Sequence, residues 1–228
     1  MPPEVAQPPE RRARDTIAEA GLAAIPYAGG SLSVLYRLLG TGLEKRRETW
    51  ERELVDALND VIRRVEGLGL ADLADNEQFL DAVAAASAAA LATADQDKLA
   101  ALRNAVLNTA IPSDLGPATQ AIFMTHVRDF TPFHLRVLKL LDAQYQWLEE
   151  RGYAKQWPGP DTPIARAVAI GLPELEGEGE LARQLGNDLD AAGLAQVGKY
   201  WGKPFGGTTP ALVTERGKAF LRFITDPR

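Results

Sequence analysis

Apolar residues that recur every three, four or seven positions run through most of this 228-residue chain, and that period makes it helical. In LEKRRETWERELVDALNDVIRRVEGLG, the residues Leu43, Trp50, Leu54, Leu58, Val61, Ile62 and Val65 share one stripe of a long helix, which Gly67 ends. The opposite face carries Glu48→Arg52 and Asp60→Arg64, four residues apart in the favourable order, so the charge run reads as a solvated surface. A phosphate-binding role for Lys45, Arg46 and Arg47 is the alternative, and the interleaved acids weigh against it.

The next segment, NEQFLDAVAAASAAALATADQDKLAALRNAVLNTAIP, has Asp75 or Asn76 as its N-cap and an alanine content of high helix propensity. Phe79, Leu80, Val83, Ala86, Ala90 and Leu91 form one apolar face, and Leu99, Leu102, Val106 and Leu107 form another. TADQD between them reads either as a break or as a polar stretch of one helix. Pro112 closes the segment, and Pro117 opens the next helix where a missing N–H costs nothing. Thr131-Pro132 repeats that start signal for a helix over 131–151, with Leu135, Leu138, Leu141 and Tyr145 on its stripe and Gly152 as terminator.

Beyond the connector WPGPDTP the texture changes. Short helices are expected at 162–171 and 178–192, then LAQVGKYW as a strand, GKPFGGTTP as a tight tip, ALV as a second strand, and a closing helix from Thr214. This order resembles a winged-helix domain, as do the residues DLDAAGLAQ and TTPALVTERGKAFLRFI themselves. The expected fold class is therefore mainly α: a flexible leader over 1–20, a helical domain over 21–130, and an α+β winged-helix-like domain over 131–228.

Four earlier stretches, IPYAGGSLSVLYRLL, LEKRRETWEREL, NEQFLDAV and KLAALRNAVLNTAIP, together with TPFHLRVLKLL, resemble an uncharacterised family of bacterial hypothetical proteins. The resemblance implies a bacterial origin and a link to mobile or defence loci, and it supplies no chemistry.

Composition narrows the function classes. A net charge of −6 removes any chain-wide attraction to phosphate, and the absence of cysteine removes disulfides and thiolate chemistry, which points to an intracellular, cytoplasmic setting. The N-terminus lacks the positive start and apolar run of a secretory signal. No GxxxxGK[ST], GxGxxG after a strand, GxSxG or HExxH occurs, so no enzyme, metal or cofactor is expected. His126 and His134 sit on consecutive helices with Asp129 near either one, and they read as partly buried or interfacial histidines rather than as a metal or acid–base pair. The carboxylates Glu174, Glu176, Glu178 and Glu180 alternate with Gly and Leu in a solvated loop.

The reading that follows is a non-enzymatic interaction or regulatory module that docks a protein partner or a second copy of itself. Two alternatives stand beside it. In a DNA-binding regulator, Arg183, Asn187, Lys199, Lys203 and Arg216 would face nucleic acid, with Glu180, Asp188 and Asp190 opposing. In a membrane-acting effector without a spanning helix, residues 21–42 would engage lipid through Ile25, Tyr27, Leu32, Leu35 and Leu38, which otherwise contact a partner.

Overall fold

Helix α1 spans Gly29–Arg64, thirty-six residues, in a computed structural model that describes residues 29–156, 159, 161–204 and 211–227, without the side chains of 29–39 and 70. The leader over 1–20, Ile25, Tyr27 and the tip at 205–210 lie outside the described residues, as do the side chains of Leu32, Leu35 and Leu38. Two compact units divide the chain, residues 1–49 and 50–228. In the first, residues 40–49 of α1 are exposed at every position, Leu43 included. The second opens with Trp50, whose Nε1–H donates to Ser87 Oγ at 2.9 Å, and from there the stripe is buried at Leu54 and Val61.

The second unit continues through α2 (Leu70–Ala74), α3 (Glu77–Leu91), α4 (Gln96–Ala110), α5 (Pro117–Asp129), α6 (Pro132–Asp142), α7 (Gln144–Glu150), α8 (Ile164–Gly171), α9 (Gly179–Ala191) and α10 (Glu215–Phe223). TADQD is a break: Ala92 ends α3, and Asp95 caps α4 by accepting the Lys98 N–H at 3.0 Å. Asn76 caps α3 in the same way, at 3.0 Å from Phe79 N. The inward face of α3 is Phe79, Ala82, Ala86 and Ala90, small enough for α4 and α5 to pack closely, while Leu80 turns outward. Phe123 of α5 meets Phe220 of α10 edge to face at 5.4 Å, and one continuous apolar core runs from Trp50 to Ile224.

The end of α10 is held by side chains of α4. Asn108 donates to the carbonyls of Phe223 at 2.9 Å and Thr225 at 2.8 Å, and Asn104 donates to Ile224 at 3.2 Å. These bonds satisfy carbonyls that a helix C-terminus leaves without partners.

Two expectations are corrected. The helix anticipated over 131–151 is divided at Ala143, whose ψ of 56° leaves the helical range, and Tyr145 is exposed instead of lying on the stripe. The offset lets Trp147 bury and donate its indole N–H to Gly171 O at 2.8 Å.

The winged-helix expectation fails more broadly, because the described residues contain no strand and the fold is all-α. The two segments read as wing strands meet in a single isolated bridge, Ala195 with Val213, through Gln196 N–H to Leu212 O at 2.8 Å and Thr214 N–H to Leu194 O at 3.0 Å. Past it, the Asp190 carboxylate accepts the N–H groups of Val197 and Gly198, and the chain winds into a 3₁₀ turn over Gly198–Tyr200 rather than extending. Backbone donors tied to a side chain cannot join a ladder.

Candidate functional site

Ionisable side chains inside the second unit are held at three places. Lys98 is buried, and its ammonium donates to the carbonyls of Val127, Arg128 and Phe130 at the end of α5. A cation there suits the negative end of the helix. Burial pushes its pKa down to about 8, against the opposing charges of Asp129 and Asp95.

Arg136 on α6 reaches the first turn of α4, with Nη2 at 2.6 Å from Asp95 and Nε at 2.8 Å from Asp97, while Glu174 stands at 3.9 Å. Burial alone would raise the Asp97 pKa, but the bond and charge of Arg136 outweigh it and hold the carboxyl below its ordinary value. Asp97, Arg136, Arg151, Tyr153 and Glu174 border a cleft of about 260 Å³.

The histidines are interleaved with Phe130. His126 stacks on Phe130 at 5.3 Å and Phe130 on His134 at 4.9 Å, both nearly parallel. His134 Nδ1 accepts the Thr131 backbone N–H at 3.1 Å and its Nε2 lies 3.2 Å from Asp188, an arrangement the neutral ring satisfies with its proton on Nε2. Burial lowers its pKa against the pull of Asp188; burial and then Arg216 lower that of His126, with Asp129 opposing. Asp129 pairs with Arg128 at 2.7 Å and makes no hydrogen bond to either histidine.

The residues considered for DNA lie on α9, in the stretch that follows it and on α10. Arg183 pairs with Glu180 at 2.7 Å, and Asn187 is exposed on α9. Lys199 and Lys203 both lie over the Tyr200 ring, at 5.1 and 5.3 Å, and Arg216 lies 5.5 Å over Phe123. Asp188 and Asp190, read from the sequence as acids opposing nucleic acid, are half-buried and occupied by His134 and by the 197–198 backbone. Leu32, Leu35 and Leu38 all fall within α1. No described helix is long and apolar enough to cross a membrane, and no three metal-ligating side chains converge among the described residues.

Sequence reasoning missed Lys98, Arg136 and Lys139. The spacing of Lys98 to Ala101, Leu102 and Ala105 carried a signal, since it places a lysine on the buried stripe of α4. Arg136 carried none, because Asp95, Asp97 and Glu174 come from distant elements, and neither did Lys139, whose opposing charges, Asp97 and Glu150, lie on other helices. No protein-family model matches the chain, and no curated protein or solved structure matches it.

Proposed function

We propose that this chain is a non-enzymatic interaction module of the bacterial cell interior, which docks a protein partner, or a second copy of itself, through α1. The observation that carries this reading is the run of ten consecutive helical residues, 40–49, with no buried position. A helix gains most of its stability from packing an apolar face, and short isolated helices are marginal in water. Leu43, 49% exposed, is the apolar residue a partner would cover, and Glu44, Lys45, Arg46, Arg47 and Glu48 supply charges of both signs around it.

The ionisable groups held inside the second unit support the same reading. Lys98, Arg136 and His134 are engaged by backbone carbonyls, capping carboxylates and a helix start, which are structural tasks. A defence-linked setting belongs to the proposal and rests on the resemblance of IPYAGGSLSVLYRLL and TPFHLRVLKLL alone.

Light scattering on the full chain and on Leu43→Glu tests the reading, together with co-purification of each from the native cell. The expected result is an assembly, with itself or with one stoichiometric protein, that the Leu43→Glu variant loses. A monomer that recovers no partner, or an assembly indifferent to Leu43→Glu, contradicts it.

A further inference from the structure

The offset at Ala143 that divides α6 from α7 opens a cleft against α10 of about 390 Å³, inside the size range of small-molecule sites. Its apolar surface comes from Trp147 and Leu221, both buried. Its polar surface comes from Lys139 and Asp142 on α6, Glu150 at the end of α7, and Arg151 just beyond.

No two of these four charges form a contact ion pair. Lys139 is half-buried, and among the described residues its ammonium makes no ion pair or hydrogen bond, although Asp142 stands three residues on, at a spacing where helical neighbours meet. Asp142 likewise forms no ion pair among the described residues, and the charge that acts on it from α10 is that of Lys218. Glu150 accepts a hydrogen bond from Gln146 at 2.8 Å in place of a cation, and the Arg151 guanidinium lies 3.3 Å over the Trp147 ring. Burial disfavours the Lys139 ammonium, as do Arg151 and Arg136, with Asp97 and Glu150 opposing. A half-buried cation without a counter-ion in direct contact is costly, and a ligand that supplies one recovers part of that cost.

We propose that this cleft binds a small zwitterion of the α-amino acid class, its carboxylate toward Lys139 and Arg151 and its ammonium toward Asp142 and Glu150. The charge arrangement selects that class. A phosphate dianion would face two carboxylates, a polyamine would face two cations, and a neutral molecule would leave Lys139 without a counter-ion in contact. A zwitterion forms charge-assisted bonds at both ends, and an apolar side chain would lie against Leu221. The proposal does not depend on docking through α1.

Titration of the full chain with L-leucine, N-acetylleucine, leucine amide and inorganic phosphate, followed by NMR of the backbone amides, tests it. Leucine is expected to give saturable shifts in α6 and α7, weakened at least about tenfold when either end is blocked. Lys139→Gln and Asp142→Asn should weaken leucine binding to a similar degree while the far-UV circular dichroism stays unchanged. Asp142 is exposed, so its variant reports binding even if Lys139→Gln unfolds. The absence of saturable shifts with millimolar leucine overturns the proposal, as does equal binding of a blocked derivative or of phosphate.

Discussion

The Asp190 carboxylate accepts the backbone N–H of Val197 at 2.6 Å, linking the last turn of α9 to a residue seven positions ahead. With the Gly198 N–H at 2.7 Å on its other oxygen, it closes the turn that replaces the anticipated wing strand. Asp190→Ala removes both charge-assisted bonds, at a cost of about 2 kcal/mol. A fall in melting temperature of roughly 4–8 °C is expected for a chain of this length, measured by calorimetry. An unchanged melting temperature would remove Asp190 as the cause of the turn.

Helix starts were the most legible part of the fold. Asn76, Pro117, Thr131-Pro132 and Thr214 each announce a terminus through a local interaction, and each stands where a helix begins. Stripes told less, because a period says which residues share a face and not where cover stops: Trp50 is buried and Leu43 is exposed on the same stripe. The division at Ala143 depends on an indole bond to Gly171, and the turn after Val197 depends on Asp190, both set by residues beyond the local window. LAQV has strand-like composition, and the side chain that prevents a strand lies upstream of it. Lys139, Asp142, Glu150 and Arg151 lie within thirteen residues of sequence, and what the sequence does not record is the offset at Ala143 that lets them line one cleft with α10.

Gly217 allows the closest backbone approach among the described glycines. A Cβ there would stand 2.0 Å from Leu194 O and 2.7 Å from Val213 Cγ1. Gly217→Ala is expected to cost about 3 kcal/mol or more, because backbone must move to admit it. Gly179→Ala, in the first turn of α9 with nothing within 4 Å, is expected to stabilise instead, by up to about 1 kcal/mol. Denaturant midpoints of the two variants should therefore move in opposite directions.

Lys98→Met keeps most of the buried stem and deletes three donors to the end of α5. Carbonyls left without partners beneath the surface make this a loss of about 2–3 kcal/mol. Hydrogen exchange should quicken in the last turn of α5 and the first turn of α6 before it does so elsewhere. A loss of stability spread evenly over the unit would argue for lost packing alone.

Both histidines titrate below 6.5 in the folded chain, with burial the first cause in each. The unfolded chain therefore binds more protons as pH falls through 6.5. Stability should decline as pH falls below that point. Urea midpoints measured from pH 7.5 to 5 should show this slope, and the double variant His126→Gln, His134→Gln should flatten it. A slope unaffected by the double variant would place the titration elsewhere.

Hydrogen–deuterium exchange along α1 tests docking through residues 40–49 most directly. In the dilute full chain these amides are expected to exchange much faster than those of residues 54–64, and to become protected when the chain is concentrated or bound to its partner. Strong protection of 40–49 in the dilute monomer, or no added protection in the assembled state, would contradict the assignment of this stretch as the docking surface.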